Sequence, residues 1–229
     1  MRTVGILGGM GPEATVLLMS RLIAATPAQD DADHIPLIVD QNTQVPSRIA
    51  ALLGGSDADP APVLAAMARR LQAAGTQALA MPCNTAHHFA PAIRAASSLP
   101  FLDMIARSAT RADAVALPGA AIGIIASPAV QRTQLFDRAL HALGRSTAYP
   151  ADQAALLAAI RAIKAGRADQ ARPALLTASA DLLAQGVAIQ LIACSEFSMV
   201  PGCAAAGACQ IDTLDVLVDA IRSFATAPA

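Results

Sequence analysis

The sequence predicts an α/β protein of two similar Rossmann-like α/β domains, each with a mostly parallel sheet, facing each other across a cleft. Short apolar runs alternate with longer helical patterns along the 229 residues, which is typical of βαβ units. Two segments then recur in the same order. The run at 122–128 resembles the strand and turn at 4–9, and the run at 189–194 resembles that at 77–83. Two ordered repeats indicate a duplicated domain.

The first half of the chain contains one βαβ series. Its predicted strands are short apolar runs, and its predicted helices begin after a turn or end at a glycine. In chain order the elements are the strand Val4–Leu7, the turn at Gly8-Gly9, a helix starting near Pro12, the strand Pro36–Asp40, the helix Val63–Ala74 before Gly75, and the strand Gln77–Met81.

The pattern restarts after Pro118-Gly119, with predicted strands at 122–126 and 189–193. Between them, Leu157, Ile160 and Lys164 follow helical spacing, which predicts that the lysine lies at the edge of an apolar stripe. We therefore predict an N-terminal domain of residues 1–103 plus 212–229, carrying Cys83. Residues 104–211 are predicted to form the second domain, carrying Cys194.

Composition narrows the class of partner. The formal net charge of −1 gives no electrostatic footprint for nucleic acid or an anionic membrane, so neither is expected. No targeting segment is recognised, and the uncharged run 114–131 is interrupted by Pro118 and Pro128. The four cysteines form no CxxC pair and lack histidines at metal-ligand spacing, so we expect reduced thiols, a cytoplasmic location and no bound metal.

Cys83 and Cys194 each follow a predicted strand, where open α/β sheets bind ligands. Two facing domains would bring both thiols to one cleft, which suits a reaction at opposite faces of one carbon. Racemisation is such a reaction, because the proton leaves one face and returns to the other. Cysteine, with an ordinary pKa near 8.5, can serve as acid or base near neutral pH. The two cysteines are therefore predicted to be catalytic.

Polar residues that could hold a substrate follow both thiols. Asn84 and Thr85 come directly after Cys83, while Ser195 and Glu196 come after Cys194. Glu196 is expected either to accept a substrate ammonium or to orient its loop. Cys203 and Cys209 lie in an Ala/Gly-rich segment predicted to be a loop, and we assign them no role.

The chain's only lysine bears on the cofactor. Pyridoxal phosphate would need a lysine for its Schiff base, and no phosphate-binding motif surrounds Lys164. We therefore expect catalysis without a cofactor, with oriented donors stabilising the carbanion.

Three ordered motifs resemble those of the aspartate/glutamate racemase family, most closely its aspartate racemase branch. They are Gly8-Gly9-Met10-Gly11-Pro12, Cys83-Asn84-Thr85-Ala86-His87 and Cys194-Ser195-Glu196. The resemblance spans essentially the whole chain. It implies two α/β domains, one catalytic cysteine from each, no cofactor and a homodimer. Within the first motif, Met10 is a candidate substrate contact.

The resemblance also implies that Arg48 and Lys164 bind the two carboxylates of a dicarboxylic amino acid. Arginine can grip a carboxylate with two donors, and lysine offers a compact charge. An ordinary surface role at the last helical turn stays open for the lysine. The chain departs from the usual Gly-Cys-Thr-Glu pattern, with Ala193 for glycine and Ser195 for threonine, which leaves aspartate against glutamate open.

Other polar residues receive weaker assignments. His87 is held as a possible neighbour of the Cys83 thiol, and Asp40 and Asn42 are expected to shape the pocket. Three arginines, at 107, 111 and 161, are expected to be solvated charges.

Alternative functions remain at this point. Residues 9–14 match G-x-G-x-x-A after a strand, as in nucleotide-dependent oxidoreductases. However, Pro12 removes an amide donor, Glu13 adds a negative charge, and Asp40 comes later than a ribose-binding acid should. A small-molecule binding protein would use the cleft and the basic residues but not the thiols. A thiol-based decarboxylase or isomerase would use both.

Overall fold

A computed structural model describes residues 1–227. The chain divides into two compact units. The first comprises Met1–Met104 together with the chain from Leu214 onward, and the second comprises Ile105–Thr213. The second unit is thus an insertion between two parts of the first.

The first unit is built on a four-stranded parallel sheet of order β2-β1-β3-β4. Its strands are β1 (Val4–Gly8), β2 (Leu37–Gln41), β3 (Ala78–Ala80) and β4 (Phe101–Leu102). Its helices are α1 (Pro12–Ala25), α2 (Arg48–Leu53), α3 (Ala61–Ala73), α4 (Ala90–Ala96) and the C-terminal α10 (Thr213–Thr226). Helix α5 (Met104–Val115) leads into the second unit.

Strand β1 is buried at every residue, as expected for a central parallel strand covered on both faces. Alternate side chains therefore belong to two different apolar clusters. Val4 and Ile6 pack with residues of α1 and α10, including Leu18 and Leu217. Leu7 belongs instead to the cluster that contains residues of α3 and α4. The first unit is consequently a three-layer α/β/α arrangement.

The second unit repeats this plan with a parallel sheet of order β6-β5-β7-β8. Its strands are β5 (Ile122–Ala126), β6 (Thr147–Ala148), β7 (Ile189–Ala193) and β8 (Cys209–Asp212). Its further helices are α6 (Pro128–Thr133), α7 (Leu135–His141), α8 (Gln153–Lys164) and α9 (Arg172–Ala184). Two parallel four-stranded sheets confirm the predicted fold class. The two sheets also have the same strand order.

One local expectation was wrong. Cys209 does not lie in a loop, because it is the first residue of strand β8, where it pairs with Ile189 of β7. This pairing defines the strand. His87 and His88 lie in a 3-10 helix, Thr85–Phe89, and α4 begins after it at Ala90.

Candidate active site

The two thiols follow equivalent strands of the two sheets. Cys83 comes three residues after the end of β3, and Cys194 directly follows β7. In each sheet this strand lies between the unit's first strand and its last one. Both cysteine residues are 6% exposed. The chain therefore presents one buried thiol at the carboxyl edge of each sheet.

The glycine-rich turn between β1 and α1 allows two backbone segments to approach closely. Gly9 has a φ of +89°, and a Cβ there would lie 2.5 Å from the carbonyl carbon and oxygen of Asn42. Its N–H donates to Thr15 Oγ1 at 3.0 Å. These contacts explain why a glycine stands at position 9. The G-x-G-x-x-A match therefore does not require a bound nucleotide. The next residue, Met10, is buried in the apolar cluster that also contains Cys83.

His87 fixes the backbone beside Cys83. Its Nδ1 lies 2.8 Å from the Cys83 carbonyl oxygen, and the N–H of Met104 donates to its Nε2 at 3.2 Å. Since Nε2 accepts, Nδ1 carries the proton and donates to the carbonyl. Burial lowers the pKa of His87, which keeps the ring neutral. The imidazole thus holds the Cys83 main chain to the start of α5.

Asn84 and Thr85 are buried directly after Cys83, Thr85 as the first residue of the 3-10 helix.

Asp40 of β2 pairs with a cation of helix α3. Its Oδ2 accepts hydrogen bonds from Arg70 Nε at 3.0 Å and Nη2 at 2.7 Å. It therefore forms an ion pair between β2 and α3.

Arg48 is a buried cation with one edge of its guanidinium already occupied. It is the first residue of α2, whose N-terminus is capped by Ser47. Nη1 donates to the carbonyl oxygens of Val45 at 3.1 Å and Pro46 at 3.0 Å. Nε is buried and has no hydrogen-bond partner within residues 1–227. These two carbonyls orient the guanidinium and leave its Nε side unsatisfied.

In the second unit, Glu196 joins two other candidate residues. The Cys194 thiol donates to Glu196 Oε2 at 3.1 Å. Lys164 Nζ, at the end of α8, lies 3.3 Å from Glu196 Oε1. The side chain of Lys164 is 43% exposed and that of Glu196 is 10% exposed. Ser195, between the thiol and the carboxylate, is buried, and its Oγ finds no hydrogen-bond partner in the described chain.

Comparison with known proteins identifies the family. Residues 7–221 match the family model described as Asp/Glu/hydantoin racemase. The chain belongs to this racemase family. An aspartate racemase from Picrophilus torridus is 25% identical, with a TM-score of 0.86 over 98% of this chain and 94% of that one. Membership and this likeness both support amino-acid racemisation.

Two more distant structures share the fold. An aspartate racemase homologue from Pyrococcus horikoshii OT3 is 15% identical, with a TM-score of 0.77 over 99% of this racemase-family chain and 100% of its own. A glutamate racemase, isoform RacE1, from Bacillus anthracis is 17% identical, with a TM-score of 0.68 over 97% and 81% of the two chains. The two-domain α/β architecture is therefore common to these proteins.

One buried residue of this racemase-family chain was not singled out from the sequence. Ser127 follows β5 and is 1% exposed. Ala126 of β5 pairs with Ala193 of the neighbouring strand β7. Ser127 and Cys194 are the next residues along these two strands. The repeat of 4–9 at 122–128 could have identified it, because it aligns Ser127 in sequence with Gly9 of the glycine-rich turn.

The candidate residues of this racemase-family chain are distributed over both units. Met10, Arg48, Cys83, Asn84 and Thr85 belong to the first, and Lys164, Cys194, Ser195 and Glu196 belong to the second. Within residues 1–227 no group of three or more His, Cys, Asp or Glu side chains could hold a metal ion. In the same part of the chain, no helix is both long and apolar enough to cross a membrane.

The remaining cysteines differ from the catalytic candidates in their position relative to the strands. Cys203 is buried, and burial raises the pKa of its thiol. Cys209 is exposed at the start of β8. Neither follows the carboxyl end of a strand. Cys209 therefore makes a suitable control position.

Proposed function

We propose that the protein racemises an acidic amino acid, aspartate or also glutamate, without a cofactor, using Cys83 and Cys194 as two acid/base thiols. The observation that carries this proposal is topological. The thiols follow β3 and β7, which hold the same position in two sheets of the same order. Inversion at one carbon needs one group to remove the α-proton and another to return a proton to the opposite face. Two equivalent thiols supply such a pair.

The chemistry is a proton exchange between sulfur and carbon. The thiolate of one cysteine takes the α-proton, so a C–H bond breaks and an S–H bond forms. The thiol of the other cysteine then gives its proton to the carbanion from the opposite face. The reverse reaction exchanges their roles. Thiols suit this scheme because the ordinary pKa of cysteine, near 8.5, makes both forms accessible close to neutral pH.

The dicarboxylate substrate is proposed from the buried cation Arg48. Its Nε is buried and unsatisfied, while Nη1 is held by two backbone carbonyls. A buried donor without a partner is costly, and a carboxylate would satisfy it with a charge-assisted hydrogen bond. Lys164 is proposed as the anchor for the second carboxylate. The likeness to an aspartate racemase favours the same substrate class.

Independence from pyridoxal phosphate is proposed from the position of Lys164. A Schiff base would need this amine, since it is the only lysine of the chain. Here its Nζ is paired with Glu196, beside the Cys194 thiol. An amine assigned to carboxylate binding is not available for a Schiff base. The homodimer implied by the family resemblance stays a prediction.

Chiral chromatography of purified protein tests this function. L-Aspartate, L-glutamate and L-asparagine are incubated separately, without pyridoxal phosphate, metal or nucleotide. We expect D-aspartate to form, and L-asparagine, which has the size of aspartate but lacks its second charge, to react far more slowly. Activity that requires pyridoxal phosphate would overturn the cofactor proposal. A purified protein that binds aspartate without inverting it would favour a binding protein instead.

Alanine variants test the two thiols. Cys83→Ala and Cys194→Ala should each lose racemisation by about 10²–10⁴-fold, the usual worth of a positioned acid/base group. Cys209→Ala, at an exposed position, should retain it. In D₂O each single variant should still exchange the α-proton of one enantiomer with retention. Racemisation by Cys194→Ala at the parent rate would exclude the two-thiol mechanism.

A further inference from the structure

Glu196 makes two contacts with groups that the proposed reaction uses. Its Oε2 accepts a hydrogen bond from the Cys194 thiol, and its Oε1 pairs with Lys164 Nζ. The carboxylate is largely buried, whereas the lysine is partly exposed. It is also one of only two glutamates in the chain, the other being Glu13. One carboxylate therefore joins a thiol to the chain's only lysine.

The two contacts have distinct physical consequences. A thiol that donates to a carboxylate is stabilised in its protonated form, because a thiolate would lose the bond and would lie beside a like charge. The ion pair, in turn, occupies the lysine with an internal carboxylate. A second carboxylate that approaches Lys164 is repelled by Glu196 and meets a lysine whose charge is partly compensated, so we expect the two anions to compete.

We propose that Glu196 is a positioning residue that keeps Cys194 protonated and occupies Lys164 until a substrate carboxylate displaces it. This inference rests on the proposed function, in which Lys164 binds substrate. It makes Cys194 the proton donor of the resting enzyme. Exchange of one carboxylate for another on Lys164 is then part of substrate binding.

The exchange is energetically accessible. An ion pair with a partly exposed lysine contributes little net free energy, because water competes for both charges. Another carboxylate of this unit is Asp212 of β8, whose Oδ1 accepts a hydrogen bond from Ser198 at 2.7 Å. Replacing Glu196 leaves that charge in place. Effects of the replacement can therefore be assigned to the Glu196 carboxylate itself.

The test uses Glu196→Gln in the full chain, with Glu13→Gln as the matched control at an exposed position of α1. Succinate, a dicarboxylate without an α-amino group, is titrated calorimetrically. We expect Glu196→Gln to bind it about two- to fivefold more tightly than the parent, because Lys164 no longer has an internal partner. Glu13→Gln should match the parent. Equal or weaker binding by Glu196→Gln overturns the proposed competition.

Alkylation of Cys194 by iodoacetamide, followed by peptide mass spectrometry, measures the second contact. The pH midpoint of alkylation should move down in Glu196→Gln, where the thiol loses its carboxylate. It should move up in Lys164→Gln, where the carboxylate loses its cation. Cys209 provides the internal reference. The proposal is overturned if the alkylation midpoint of Cys194 stays unchanged in both variants. It is also overturned if the midpoint shifts in the same direction in both.

Kinetics distinguish this inference from the proposed function. Glu196→Gln should show a lower KM for both enantiomers of aspartate. At pH 8 its kcat should fall in the direction in which Cys194 supplies the proton, because Cys194 is then less often protonated. A structural defect would raise KM instead and would overturn the assignment. A parent protein that does not racemise aspartate would reject the proposed function. The opposite alkylation shifts would still establish the link between Glu196, Cys194 and Lys164.

Discussion

At the scale of single residues, burial controls how His87 responds to pH. The neutral ring donates to the Cys83 carbonyl and accepts from Met104 N–H, so both nitrogens are used. Protonating the ring would place a second N–H against the Met104 donor. Burial lowers its pKa for the same reason, since a buried cation loses its hydration. The residue therefore contributes stability only while it is neutral.

We expect this histidine to make the fold sensitive to acid. Below pH about 6.5 the unfolded chain binds a proton at this residue and the folded chain does not, so stability falls as pH decreases. One such group lowers the free energy of unfolding by up to about 1.4 kcal/mol per pH unit. Urea unfolding at pH 7.5 and 5.5 should show a smaller pH dependence in His87→Gln. The same substitution at exposed His141 should leave the parent dependence unchanged. If the free energy of unfolding changed equally between pH 7.5 and 5.5 in the parent and in His87→Gln, the buried ring could not be neutral.

At the scale of secondary-structure elements, glycines set the distance between neighbouring segments. Gly5 of β1 and Gly123 of β5 occupy the same place in their strands. A Cβ would lie 2.9 Å from Thr76 Oγ1 at Gly5 and 2.7 Å from Leu182 Cδ1 at Gly123. The repeat visible in sequence thus preserves a close packing contact in both units. Gly9 extends this role to the turn that follows β1.

Alanine at Gly9 should be much more destabilising than alanine at Gly119. Both glycines have positive φ, which costs an L-residue about 1–2 kcal/mol. A Cβ at Gly119 meets nothing within 4 Å, whereas one at Gly9 meets the Asn42 backbone. The overlap should add about 1–3 kcal/mol, the usual cost of overpacking. The free energies of unfolding from urea titrations provide the comparison. Equal losses for the two variants would show that the Asn42 loop yields without strain.

At the scale of the whole molecule, the duplicated plan assigns one candidate thiol to each unit. Cys83 belongs to the first unit and Cys194 to the inserted second unit. Neither unit alone carries both groups that the proposed inversion needs. The mechanism thus requires the complete chain.

Two thiols acting in one reaction should show non-additive effects. If each single alanine variant loses about 10²–10⁴ in rate, independent roles would multiply these losses in Cys83→Ala/Cys194→Ala. We expect instead that the double variant is little slower than either single one, since each loss already disables the pair. Chiral chromatography over long incubations measures all three rates. A double variant slower by the product of the single losses would indicate separate steps.

The sequence by itself determined the α/β class, the parallel strands of both halves and the family. Apolar runs such as Val4–Leu7 and Ile189–Ala193 report local periodicity and burial, so they predicted β1 and β7 closely. Short edge strands were less visible. β4, β6 and β8 span only two to four residues, and pairing with a neighbouring strand defines them.

Only the tertiary structure decided what the polar side chains contact. The sequence proposed Glu196 for the substrate ammonium or for orienting its loop, and Lys164 for a carboxylate, but the fold pairs these two with each other. His87, considered for the thiol, donates a hydrogen bond to the Cys83 backbone carbonyl. Lys164 and Glu196 come from separate segments of the chain, and the choice of partner in both cases depends on distances of a few ångströms. Periodicity and motif spacing carry no information at that precision, because it arises from packing of the complete fold.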